Sequence, residues 1–279
     1  MKLKLIIIGL VFAAIGCTQK KQINDPVKTS GEIPPLVLLC QNIDYSDTAV
    51  LHSEEFMTQT MTDIVKLMSA ADSTSISDAL SIFFSGIRRD EKALRQAGRL
   101  ADLYLNNPSS PVRNENLYIL FLKSMLSSDS IPEYIMLQNE ERLRKASLNR
   151  PGMIANDFNY IDRTGQKGSL HRFEAPETLL IFYDPECTHC SDILNALAEN
   201  PEINGAIARG NLAVLAIYAE GKREIWEQGK NELPTQWNVG YDLTGILDKE
   251  LYDLPAMPTI YLLDEHHRVV LKDPEVENL

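Results

Sequence analysis

The spacing of apolar positions divides this chain into two parts. Over residues 32–149 it is helical: Phe56, Met57, Met61, Ile64, Val65 and Met68 follow a Ser53 cap, and Leu80, Phe83, Phe84 and Ile87 form a second stripe. Leu94, Ala97, Ala101 and Tyr104 make a third stripe that stops at Asn106-Asn107-Pro108, and Leu117, Leu120, Phe121 and Met125 make a fourth. A last charged segment, residues 131–147, sets Glu140 one turn ahead of Arg144. Past Asn149-Arg150-Pro151-Gly152 the period changes. Residues 158–162 alternate and end in a turn, while 178–183 and 212–218 are near-continuous apolar runs, as expected of strands buried on both faces. A short helix over 222–230 and two strands, 259–263 and 268–271, complete the pattern. The prediction is a mostly α-helical N-terminal domain followed by an α/β three-layer domain over residues 150–279.

The first residues read as an address rather than as fold. Lys2 and Lys4 precede a short apolar stretch, and Ala14-Ile15-Gly16-Cys17 resembles a bacterial lipobox, so residues 1–17 are expected to be a lipoprotein signal peptide with Cys17 lipidated, a plain signal peptide cut elsewhere being the alternative. Residues 18–31 are polar and read as a tether. The expected location is the bacterial cell envelope, anchored to a membrane through lipid and facing the periplasm. Taking Lys2 and Lys4 from 27 basic residues leaves 25 against 39 acidic ones, a net charge of −14, which argues against nucleic acid as a partner.

Cysteine usage concentrates the chemistry. With Cys17 assigned to lipid, Cys40, Cys187 and Cys190 remain, too few for a disulfide scaffold. Cys187-Thr188-His189-Cys190 stands after an apolar strand and before a helical pattern, so two thiols arrive at the start of a helix. Unpaired N–H groups there favour a thiolate, the species that attacks a disulfide, and the second thiol one turn away can close on the first. The expected roles are Cys187 as nucleophile and Cys190 as resolving thiol, with no cofactor beyond their own disulfide. A structural disulfide is disfavoured because so small a loop is a poor staple. A zinc site lacks further ligands at metal spacing, since His171, His266 and His267 have no companion motif. His189 has two readings, a cation beside the Cys187 sulfur or a solvent-facing helix residue. Asp184 and Glu186 would oppose a thiolate if close. Cys40, after Leu36-Val37-Leu38-Leu39, reads as a buried inert thiol, with a regulatory bond to the pair as the sharper alternative. Trp226 and Trp237 read as packing residues.

From Pro151 to Lys272 the chain resembles the thioredoxin fold, in particular the membrane-anchored thioredoxin-like proteins of the TlpA/ResA type. The likeness rests on Ala155-Asn156-Asp157-Phe158, a strand running into CxxC, a strand ending in Tyr218-Ala219, and Met257-Pro258-Thr259 before Leu263-Asp264. It implies a central mixed sheet flanked by helices. It also implies a cis peptide at Pro258 facing the redox pair, with Met257 offering backbone contacts to substrate. The buried acid many relatives use as proton acceptor has no clear match; Glu174 reads either as that acid or as a surface-loop residue. Residues 42–49 with His52-Ser53-Glu54 resemble a helical domain found ahead of thioredoxin modules in Bacteroidetes lipoproteins. The function implied is extracytoplasmic thiol–disulfide exchange with thiol- or disulfide-containing proteins, recharged by a membrane electron donor if it acts as a reductant. The alternative is a lipid-anchored scaffold whose thioredoxin-like module docks peptides without turnover.

Overall fold

The computed structural model describes residues 33–274, so Cys17, the signal peptide and the tether lie outside the described residues. Among the described residues seven α-helices come first: α1 (Pro35–Gln41), α2 (Thr48–Leu51), α3 (Glu54–Met68), α4 (Ser73–Ile87), α5 (Glu91–Ala101), α6 (Glu115–Leu126) and α7 (Glu133–Ala146). Their starts are written in the sequence. Ser53, Asp72, Asp90 and Asn114 each accept a backbone N–H of the first turn, satisfying donors that would otherwise be orphaned. Asp90 also meets the His52 ring at 2.8 Å, tying the start of α5 to the end of α2. The apolar stripes converge on one core in which Phe83, Phe84 and Phe121 pack edge to face. After α5 the chain continues as a π turn, Asp102–Asn106.

The second half holds β1 (Asn159–Asp162), β2 (Lys167–Ser169), β3 (Glu177–Tyr183), α8 (Thr188–Glu199), α9 (Pro201–Ala208), β4 (Leu212–Tyr218), α10 (Arg223–Gly229), β5 (Asn238–Asp242), β6 (Thr259–Asp264) and β7 (Val269–Lys272). They form a seven-stranded mixed sheet in the order β2-β1-β5-β4-β3-β6-β7. Central β3 runs parallel to β4 and antiparallel to β6. Both faces are covered, which is why β3 and β4 read as continuous apolar runs. Leu180, Phe182, Leu215 and Ile217 point to one face with Phe158, Tyr252 and Tyr261. Leu179, Ile181, Val214 and Tyr218 point to the other with Cys190, Leu194, Trp226 and Trp237, so both tryptophans are packing residues.

Several elements, β5 and α9 among them, escaped the hydrophobic pattern. Strand β5 is short and carries Gly240, where a Cβ would lie 2.8 Å from the Tyr160 ring and 2.9 Å from Ile217 Cδ1. The glycine that weakens the strand signal is what admits the tyrosine across the sheet. Helix α9 is announced only by Asn200, which caps it, and Pro201 in its first turn.

The passage between the halves is an ordered elbow. Asn149 has φ 48° and is almost fully buried, donating to the Leu251 carbonyl at 2.8 Å and accepting the Asn156 N–H at 2.8 Å. Ion pairs join the halves as well: Arg113 with Asp273, Lys272 with Glu115 at 2.5 Å, Arg144 with Glu250, and Lys145 with Glu250 at 3.0 Å. The two cores are separate, yet the halves belong to one compact unit that begins at Pro34.

Candidate active site

Strand β3 ends at Tyr183, and Asp184 then builds the turn that presents the first thiol. Its side chain accepts the Glu186 N–H at 3.0 Å and its carbonyl accepts the Cys187 N–H at 3.2 Å. Cys187 is the N-cap of α8, with φ −91° and ψ 114°, and its sulfur accepts the Cys190 N–H at 3.4 Å. The capping position that serine or aspartate usually fills is here held by a sulfur, so the first-turn N–H faces it. Cys187 is partly exposed; Cys190, one turn on, is fully buried against the sheet. Both are free thiols.

Burial pushes the Cys190 thiol from the ordinary 9.0 up to about 12; the nearby Asp184 backbone opposes that shift, while Cys187 and the Asp184 carboxylate add to it. The buried thiol is therefore held protonated until something draws the proton off. Glu174 does not do so. It is exposed in the segment between β2 and β3, so the surface-loop reading of this residue holds and the buried-acid reading does not. The Asp184 carboxylate, directly after the central strand, adds to the upward shift and so opposes ionisation of Cys190, as its place beside the pair predicts.

The remaining predicted residues fall as follows. Thr188 and His189 are exposed in the first turn of α8, with His189 lining a cavity. The Met257–Pro258 peptide is cis, Pro258 is buried, and the Met257 carbonyl oxygen lies 4.0 Å from the Cys187 sulfur. Glu186 points outward toward Lys222 at 3.6 Å, with both side chains well exposed. Cys40 is fully buried in the helical core, a different core from that of Cys190, and burial raises its thiol to about 12. His171 and His267 stack with ring centroids 5.2 Å apart, and each ring reaches a backbone carbonyl, of Ala155 and Phe173 respectively.

The raised thiols give the fold an alkaline weakness whose sign is fixed. Both carry folded values above the unfolded one, so the unfolded chain sheds protons first and stability falls as pH climbs from about 9 toward 12. Each thiol contributes up to ~1.4 kcal/mol per pH unit to that slope. Urea midpoints measured from pH 8 upward should show Cys190→Ala with a shallower alkaline decline than the parent chain; equal slopes would mean that the sulfur is hydrated.

Comparison with known proteins places both halves. The family described as "Domain of unknown function (DUF5106)" matches residues 40–149. The crystal structure of a thioredoxin-like protein from Bacteroides caccae is 31% identical, with 91% of this chain and 94% of that chain covered and a TM-score of 0.79. The C-terminal domain of an uncharacterized protein from Bacteroides fragilis is 40% identical over 47% of this chain and 94% of its own, with a TM-score of 0.46. The thioredoxin domain of a thiol-disulfide oxidoreductase from Bacteroides vulgatus is 21% identical over 47% of this chain and 92% of its own, with a TM-score of 0.42. No curated protein matches the sequence.

Proposed function

The chain belongs to the thioredoxin-like proteins and carries a DUF5106 domain ahead of its thioredoxin-like half, and from that premise we propose that it is a thiol–disulfide oxidoreductase acting through Cys187 and Cys190. The observation that carries this reading is the inequality of the two sulfurs. One is partly exposed at a helix N-cap, beside the Met257 carbonyl, and the other is buried with a raised pKa one turn behind it.

In the reducing direction the Cys187 thiolate attacks a substrate disulfide. A Cys187–substrate disulfide forms and the departing substrate sulfur leaves as a thiolate. Cys190 then loses its proton and attacks the Cys187 sulfur, which closes the Cys187–Cys190 disulfide and releases the second substrate thiol. The protein has lost two electrons and the substrate has gained two. Run backwards, the same steps oxidise a substrate dithiol. Protonated Cys190 is a poor nucleophile, so it does not compete for the incoming disulfide and acts only after the mixed disulfide has formed.

Its substrates are thiol- and disulfide-containing proteins of the cell envelope. Cys17, when lipidated, ties the protein to a membrane, and a membrane electron donor recharges it if it works as a reductant. Equilibrating the pair against dithiol and glutathione buffers tests the reading and fixes its direction. A potential near about −270 mV marks a reductant and one near about −120 mV an oxidant. A protein that fails to reduce insulin and shows no reversible two-electron couple would instead be a docking scaffold.

A further inference from the structure

A cavity of about 490 Å³ adjoins the turn that carries the redox pair, reaching it through His189 and Met257 rather than through either cysteine, and its walls come from both halves of the chain. His189, Met257 and Pro258 line one side; Pro108, Pro111 and Arg113 of the segment joining the π turn to α6 line the other. The volume is in the range of ligand sites, about 300–1,000 Å³. The segment is built, not draped. The Ser110 hydroxyl donates to the Tyr104 carbonyl at 2.6 Å, the Asn114 N–H to the Leu105 carbonyl at 3.0 Å, and the Ser109 N–H to the Asn107 side chain at 2.9 Å. Beyond it, Arg113 pairs with Asp273, and the nearly buried Lys272 reaches Glu115 and the Leu148 carbonyl. These ties hold the helical half against the end of β7.

We propose that residues 107–114 form the second wall of the redox cleft and select an extended, uncharged polypeptide segment that bears the disulfide. This rests on the exchange reading above. Three features set the occupant. The Met257 N–H has no partner among the described residues and its carbonyl meets only the Cys187 sulfur, so a strand-like backbone has an edge to pair with. The facing wall offers Pro108 and Pro111, apolar and rigid. Arg113 and Lys272 are already paired with Asp273 and Glu115 of the same wall, so a carboxylate entering the cleft would break an existing pair or lose its hydration without compensation. A small anionic thiol is therefore disfavoured against a neutral segment of protein. On this reading the DUF5106 domain supplies specificity, and the thioredoxin-like half supplies the chemistry.

Single-turnover reduction by the pre-reduced full chain tests this without an added reductant. The probes are an uncharged peptide of about twelve residues with one intrachain disulfide, oxidised glutathione, and hydroxyethyl disulfide. The parent chain should prefer the peptide to oxidised glutathione. Pro111→Trp, at an exposed position that leaves the core untouched, should lower the peptide-to-hydroxyethyl-disulfide rate ratio by about tenfold or more. Arg113→Ala, which releases the wall, should raise the half-saturating peptide concentration about fivefold while the limiting rate holds. A ratio unmoved by Pro111→Trp, or faster reduction of oxidised glutathione than of peptide by the parent, overturns the wall. Failure of the parent to reduce even hydroxyethyl disulfide overturns the exchange reading beneath it.

Discussion

Cys190→Ser should arrest the protein on its substrate. Cys187 keeps its capping position in this variant, because the N–H it accepts belongs to the backbone of residue 190 and survives the substitution. Attack on a substrate disulfide therefore proceeds, but no second sulfur is present to release the product. The mixed disulfide should accumulate to near one per molecule, and steady-state reduction should fall by about a thousandfold. Cys187→Ser should lose turnover to the same extent and trap nothing. Mass spectrometry of each variant after incubation with oxidised insulin separates the two, since only Cys190→Ser gains the mass of an insulin molecule. Trapping through residue 190 in Cys187→Ser would reverse the assigned roles. The fully buried Cys190 side chain makes that reversal costly, because the substrate sulfur would have to enter the core.

Phe182→Ala should be among the most destabilising single substitutions in the second half, at about 3–5 kcal/mol. Phe182 is fully buried on central strand β3 and packs against Tyr252 at 4.7 Å, Phe158 at 5.9 Å and Tyr261 at 6.2 Å between ring centroids. These rings come from β1's approach, the loop before the cis proline, and β6, so no one neighbour can shift to fill the void. The same strand carries Tyr183 and Asp184 into the turn that presents Cys187. Urea unfolding followed by tyrosine fluorescence gives the loss directly. A cost under about 1 kcal/mol would mean that the cluster collapses onto the cavity. The site should respond as well, with alkylation of Cys190 speeding up in the variant as its cover loosens.

Much of this architecture was open to reading along the chain, and the reasons are local. Asp72, Asp90 and Asn114 cap helices through contacts within three residues, and the stripes behind them have a fixed period. The runs in β3 and β4 are continuous because both faces of the sheet are covered, which composition registers without any knowledge of what covers them. The strand–CxxC–helix order put Cys187 nearest the helix N-terminus and Cys190 one turn behind it. Strand β5 was invisible because Gly240 answers to Tyr160, some eighty positions earlier, and no local pattern records that debt of space. The two readings of Glu174 stayed open for a related reason: a carboxylate's burial depends on which segments fold over it, and this one is exposed.

What the amino-acid order determined by itself was therefore most of the longer elements and the identity of the two sulfurs, since helix period, capping and a two-residue gap are all short-range properties of a chain. Only the tertiary structure decided their surroundings. It brought Met257 within 4.0 Å of Cys187 across seventy residues, buried Cys190 deeply enough to hold its proton, and set Arg113 against Asp273 so that the helical half borders the cleft. Those contacts join positions far apart in sequence, and their energies arise from desolvation and charge pairing that exist only once the two cores have closed.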